Sequence, residues 1–215
     1  MENASVDVKA VEEVLRTGTT TIGMVYGDGV LMATDSQATA GFMVATKIAQ
    51  KLYQVNDFAA ATIAGGVADC QYVVSQARAL SRLRELNTGA VPDVVYVANV
   101  IKNILFSGRS LLYAFTLVGG WSPASGGPKL YGIDFIGTLF EEERYISFGS
   151  GSTFALGVLE TSWKPDAPKE EAVALAEKAL TAARNRDAGS GFEVQMATIT
   201  AEGFQWLRKP VALDL

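Results

Sequence analysis

An α+β fold of antiparallel sheets layered with helices follows from three features of the sequence. Short β-favouring runs come in blocks and pair around turns, and apolar residues switch to a spacing of three and four in separate stretches. No regular strand-helix-strand alternation joins them, which argues against a parallel sheet. Residues 1–18 stand apart: Val8, Val11, Val14 and Leu15 form a rough helical stripe, too short to hold a helix alone in water, and read as an appendage. From Thr19 the strand texture begins with TTIGMVYG and VLMATDS around Gly27, Asp28 and Gly29, residues suited to a turn with φ > 0, which makes a hairpin. KLYQVND and FAAATIAGG repeat the pattern, so two helices are expected after four strands.

The first helix is expected from Val67 to Leu86, burying Val67, Cys70, Val73, Val74, Ala77, Leu80, Leu83 and Leu86. Pro92 and Asp93 open the second, through Val94, Val97, Ile101, Ile104 and Leu105, with Gly108 ending it. Strands return with LLYAFTLVGGW, KLYGIDFIG and TLFEEERYISFG. Helices return with STFALGVLET and PKEEAVALAEKALTAARNR, the latter acidic at its start (Glu170, Glu171) and basic at its end (Arg184, Arg186), as the helix dipole favours. FEVQMATIT is expected to be the last strand. There is no internal repeat and no interdomain linker, so one domain of residues 19–215 is expected after the appendage.

Composition removes several chemistries. The 215 residues contain no histidine and one cysteine, so neither a Ser-His-Asp nor a Cys-His hydrolase can be built, and no disulfide can close within the chain. No metal site and no cofactor is expected. With 18 basic against 23 acidic side chains and a formal charge of −5, a phosphate-tracking surface is not expected, which sets nucleic acid aside. The first residues lack the apolar core of a secretory signal and no stretch is long enough to span a bilayer, so the sequence reads as cytoplasmic, without a membrane partner.

The candidate chemistry begins at Thr19, directly after Gly18. TTT is ordinary β-favouring sequence, yet a hydroxyl needs a base beside it to attack, and without histidine the α-amine of a terminal threonine can serve, at a reference pKa of about 7.7–8.0. That arrangement requires a cut between Gly18 and Thr19. Asp35 ends one strand-like run and Lys51 begins another. Either alone reads as a solvated strand-end charge; placed together between neighbouring strands beside Thr19, the ammonium would lower the amine's pKa and the carboxylate would hold it charged. Gly65 and Gly66 suit a strand-to-helix turn and also bring a backbone N–H close to a substrate, where it can stabilise an oxyanion. GSGS at 149–152 and RDAGSG at 186–191 read equally as a cap and a helix-ending turn.

Taken in order, TTTIG, ATDSQAT, KLYQV, AGGVAD, GSGSTFALGVLE and RDAGSG resemble the β subunits of the proteasome core particle, of the archaeal and eukaryotic type, from Thr19 to about Ile199. The resemblance implies a four-layer αββα sandwich, the N-terminal-nucleophile hydrolase fold, and a threonine endopeptidase that degrades unfolded polypeptides. It makes residues 1–18 a propeptide removed autocatalytically. It makes Thr19 the nucleophile, with Lys51 paired to Asp35, Gly65 N–H as oxyanion hole, and Ser150, Asp187 and Ser190 holding the terminal amine. Thr39, Gly65 and Val67 would bind the substrate main chain as an added strand. Ala38, Ala49, Tyr53, Ile63 and Val67 would line the specificity pocket; none is charged, so cleavage mainly after apolar residues is expected. Gln37 stands where many family members have arginine, and its backbone carbonyl is expected to serve Lys51. The implied partners are further copies of the chain in stacked heptameric rings, flanking α subunits, and a regulatory ATPase acting through the α ring. Two other readings fit some of the same residues: a ring subunit without catalysis, and an N-terminal-nucleophile amidase acting on a small molecule. The first usually lacks the threonine or the lysine; the second needs insertions that close a pocket, which this chain lacks.

Overall fold

The computed structural model describes residues 18–211. The expected propeptide, up to residue 17, lies outside the described residues. Six strands come first: β1 (Thr21–Tyr26), β2 (Gly29–Asp35), β3 (Ala38–Ala40), β4 (Met43–Thr46), β5 (Leu52–Asn56) and β6 (Ala59–Gly65). Helices α1 (Val67–Thr88) and α2 (Val94–Ser107) follow, then β7 (Ala114–Ser122), β8 (Gly127–Ile133), β9 (Leu139–Glu142) and β10 (Tyr145–Phe148). Helices α3 (Ser152–Ser162) and α4 (Lys169–Arg184) and strands β11 (Val194–Thr200) and β12 (Gly203–Arg208) complete the order.

Two five-stranded antiparallel sheets carry the architecture, in the orders β10-β1-β2-β11-β12 and β5-β6-β7-β8-β9, with β3 and β4 as a separate hairpin. The alternation of side chains along each strand assigns the layers. In β2, Leu31 and Ala33 join Ala155, Leu159, Ala176 and Leu180 of α3 and α4, whereas Val30 and Met32 join Leu52, Leu117 and Leu130 of the other sheet. The far face of that second sheet, with Ala61, Ile63 and Val118, packs on Cys70, Val73, Val97 and Ile101 of α1 and α2. The result is the αββα sandwich, with three apolar layers and β2 buried along its whole length.

Several expectations need correction. Four strands before α1 become six, because ATAGFMVAT forms the β3–β4 hairpin, and β12 follows FEVQMATIT. TLFEEERYISFG divides at Glu143 and Arg144 into β9 and β10, which enter different sheets. The buried face of α1 is Cys70, Val73, Val74, Ala77 and Ser81; Val67, Leu80, Leu83 and Leu86 are exposed. At 22 residues α1 runs about 33 Å, whereas the seven-residue β6 beneath it covers about 23 Å, so its last turns pass beyond the sheet. Asp93 caps α2, accepting from Val95 N at 2.9 Å, which puts Pro92 before the helix rather than in its first turn. Arg186 lies past the end of α4. The Gly27–Asp28 turn forms without positive φ at either residue; Gly29 is instead demanded by space, since a Cβ there would stand 2.2 Å from Ile199 O. Among the described residues no helix is long and apolar enough to cross a membrane.

Candidate active site

The antiparallel register of β1 and β2 pairs Thr21 with Thr34, which sets Asp35 opposite Thr20 and beside Thr19. Asp35 N donates to Thr20 O at 3.3 Å, closing that pairing. Lys51 arrives from the other sheet, one residue before β5, so the two charges face each other across the gap between sheets rather than along neighbouring strands as the sequence suggested. What aims Lys51 is a clamp that the sequence did not reveal. The buried Gln195 of β11 accepts from Lys51 N at 2.9 Å and Leu52 N at 3.1 Å and donates to Ala49 O at 2.7 Å, tying the start of β5 to the opposite sheet.

Lys51 Nζ donates to Thr19 Oγ1 in a short contact and to Asp35 Oδ1 at 2.9 Å, while Thr19 Oγ1 donates to the same carboxylate oxygen at 3.0 Å. Thr19, Asp35 and Lys51 are 3%, 0% and 5% exposed, so this charge pair is held out of water, where only full hydrogen bonding makes it tolerable. Asp35 meets that condition: Oδ1 also accepts from Thr20 N at 2.9 Å, and Oδ2 from Gln37 N at 2.9 Å and Gly191 N at 3.0 Å. Burial lowers the Lys51 pKa from its ordinary value, opposed by the attraction and hydrogen bond of Asp35. The expected bond from Lys51 to the Gln37 carbonyl is not among the hydrogen bonds of the described residues. The ammonium's donors are directed at Thr19 and Asp35, and Gln37 reaches Asp35 through its N–H instead.

The other side of Thr19 is a hydroxyl network. Thr19 N donates to Ser150 Oγ at 3.2 Å, and Ser150 Oγ and Ser190 Oγ each donate to Asp187 Oδ2 at 2.6 Å. Thr20 Oγ1, which the sequence did not single out, meets Ser190 Oγ at 2.6 Å. Gly149 is required here: its φ is +102°, and a Cβ would lie 2.1 Å from Thr19 O, an oxygen that accepts from Gly151 N at 3.2 Å. In the chain as it stands Thr19 N is the amide of the bond to Gly18, so the network holds an N–H rather than an amine.

Gly18, Thr19, Lys51 and Gly65 border a cavity of about 20 Å³, room for a single water. Ala38, Thr39, Ala49, Ile63 and Val67 also line it, with Gln50, Ala64 and Cys70; Cys70 stands one helical turn after Val67 and is visible in the sequence only as a core position. Burial pushes the Cys70 thiol up to about 12, so it meets the cavity as a neutral apolar group. Tyr53 stands outside this cavity, in an open groove of about 900 Å³ that continues from Ala38, Ala49 and Val67 toward Arg78 and Trp206. Its hydroxyl donates to Gln50 O at 2.8 Å, and the Arg78 guanidinium lies 5.4 Å from its ring centre. Gly65 has φ +115° and backs onto Tyr113, whose carbonyl would be 2.5 Å from any Cβ.

Residues 15–199 match the family model described as Proteasome subunit. The chain belongs to the proteasome subunit family. It is 41% identical over 190 residues to a protein named proteasome subunit beta from Methanocaldococcus vulcanius, covering 88% of this chain and 85% of that one. It is likewise 41% identical over 194 residues to a proteasome subunit beta from Methanocorpusculum labreanum, at 90% and 91% coverage. A proteasome subunit beta 1 from Caldivirga maquilingensis is 38% identical over 190 residues, at 88% and 92%. Thr19, Asp35, Lys51, Ser150, Asp187 and Ser190 of this proteasome subunit all fall inside the matched span, as does every residue of the cavity wall.

Proposed function

We propose that this chain is a catalytic β subunit, a threonine endopeptidase that frees its own nucleophile by cutting between Gly18 and Thr19. The observation that carries the reading is the convergence of Thr19 Oγ1, Lys51 Nζ and Asp35 Oδ1 in one buried triad. In the uncut chain Thr19 Oγ1 attacks the Gly18 carbonyl, the acyl group passes from nitrogen to oxygen, and water hydrolyses the ester to release residues 1–18 and a free α-amine. That amine, held by Ser150 and backed by Asp187 and Ser190, then takes the proton from Thr19 Oγ1 during attack on a substrate. Lys51, fixed beside the hydroxyl by Asp35, keeps the amine's pKa down by like-charge repulsion and stabilises the oxyanion of the nucleophile as it forms.

A substrate laid along β3 meets main-chain partners at Thr39 and Gly65, with the Gly65 N–H facing the developing oxyanion. Its side chain enters the cavity between Ala38, Ala49, Ile63, Val67 and Cys70, beside the Tyr53 groove; the wall there offers no countercharge to a buried ion other than Lys51 itself, which Asp35 already pairs. Cleavage is therefore mainly after apolar residues. Copies of the chain assemble in stacked heptameric rings with α subunits and receive unfolded polypeptide through the α ring from a regulatory ATPase. The names of the relatives, proteasome subunit beta, support that assembly. The test is peptide hydrolysis by particles assembled with α chains, using a panel that varies the residue before the cut. Turnover after leucine or an aromatic residue that disappears in Thr19→Ala supports the reading. Turnover unchanged by Thr19→Ala, or confined to charged residues, contradicts it.

A further inference from the structure

Gln37 is 5% exposed, and its side chain lies between two parts of the site. Its Nε2 donates to Ala188 O at 2.8 Å and to Thr39 Oγ1 at 3.0 Å. The Ala188 carbonyl can only accept, so the end of the amide facing it must be the nitrogen, and one group therefore uses both of its donors on two different segments. Ala188 sits in the loop that carries Asp187 and Ser190, the carboxylate and hydroxyl behind the nitrogen of Thr19. Thr39 is on β3, the strand proposed to receive the substrate main chain. The third side of the amide is equally close: a Cβ at Gly191 would stand 2.4 Å from Gln37 Oε1, so the loop folds onto this side chain and not merely near it.

We propose that Gln37 is a positioning residue, whose amide fastens β3 to the 187–191 loop so that bound substrate and the partners of the Thr19 nitrogen keep one geometry. This rests on the peptidase reading above. It acts through Thr39 and Ala188 and touches no reacting atom. Without the amide, the Ala188 carbonyl loses the donor that ties it to Gln37 and the loop can shift relative to the strand, which misaligns the proton acceptor with the carbonyl under attack.

The experiment uses particles assembled with α chains and compares the unaltered chain with Gln37→Met, Gln37→Arg and Thr39→Val. Methionine keeps the length and removes both donors without adding charge; arginine keeps donors. For Gln37→Met, kcat per processed subunit falls about tenfold with KM changed less than about threefold, and Gln37→Arg recovers most of the loss. Thr39→Val, which removes one acceptor and preserves the β-branched shape, lowers kcat in the same direction, and its effect is not additive with Gln37→Met. Should Gln37→Met fail to assemble, Thr39→Val alone reads the link. A kcat unchanged in Gln37→Met or in Thr39→Val, or equal losses in the methionine and arginine variants, overturns the proposal. Inactivity of the unaltered particle sinks the peptidase reading and this one with it; an active particle indifferent to Gln37 sinks only this one.

Discussion

Gly18 and Gly189 press backbone against backbone: a Cβ on Gly18 would stand 2.0 Å from Gly189 Cα, and one on Gly189 would stand 2.3 Å from Gly18 Cα. Neither position has space for a methyl group while the Gly18–Thr19 bond is intact. Gly18, the residue before the proposed cut, is thus packed against the loop that also carries Asp187 and Ser190.

Gly189→Ala is therefore expected to slow removal of the propeptide far more than it slows the finished enzyme. Overpacking of about 1–3 kcal/mol corresponds to roughly a 5- to 150-fold loss in processing rate. Intact-mass measurement over time reads it. A chain expressed to begin at Thr19 lacks the clash with Gly18 but keeps a Cβ 2.9 Å from Ser150 Oγ, so Gly189→Ala in that background is expected to lose peptide hydrolysis by a smaller factor than it loses processing.

Lys51→Met removes the partner of a carboxylate that is 0% exposed. Leaving one member of a buried pair costs about 3–5 kcal/mol, which chemical denaturation of the full chain measures, and peptide hydrolysis is lost altogether. The pH dependence has a definite sign. Burial lowers the folded pKa of Lys51 below its ordinary 10.5, so between those two values the unfolded chain binds more protons than the folded one. The stability of the unaltered chain relative to Lys51→Met therefore rises with pH through that window. A difference that falls with pH would show the opposite shift.

Ile63 is 4% exposed and shares the cavity wall with Cys70. Ile63→Ala deepens the pocket, and the ratio of kcat/KM for a substrate with an aromatic residue before the cut to one with alanine there is expected to increase about tenfold. A fluorogenic peptide pair measures this. Turnover after charged residues stays low, because the substitution supplies no countercharge.

Cys70, 1% exposed and with its thiol pushed up to about 12, carries almost no thiolate at pH 8. Iodoacetamide is expected to leave the folded chain unmodified over an interval in which the denatured chain is fully alkylated. Mass spectrometry distinguishes the two.

The layers of the fold were legible because strands buried on both faces and helices with one apolar stripe differ in period. What escaped was short or exposed. The β3–β4 hairpin shows Phe42 and Met43 to solvent at its tip, so it offers no buried alternation to read, and β12 is only partly covered. The extent of α1 was legible but its inner face was not, because Leu80, Leu83 and Leu86 keep helical spacing yet are exposed, while the polar Ser81 beside Leu80 is the buried residue that meets Asn56 of β5. In the site, Thr19, Asp35 and Lys51 were named by motif and resemblance. Their meeting across two sheets depends on the Thr20–Asp35 register and on the Gln195 clamp, and a single glutamine in a β-rich run carries no local signal of either. The side chain of Gln37 was likewise invisible in sequence, since only the fold brings Ala188 to it.

The most direct test of the central claim is intact-mass spectrometry of the chain recovered from particles assembled with α chains, alongside its Thr19→Ala variant. The account predicts a chain beginning at Thr19 in the first and a chain still carrying residues 1–18 in the second. Loss of the segment from both, or from neither, would contradict it.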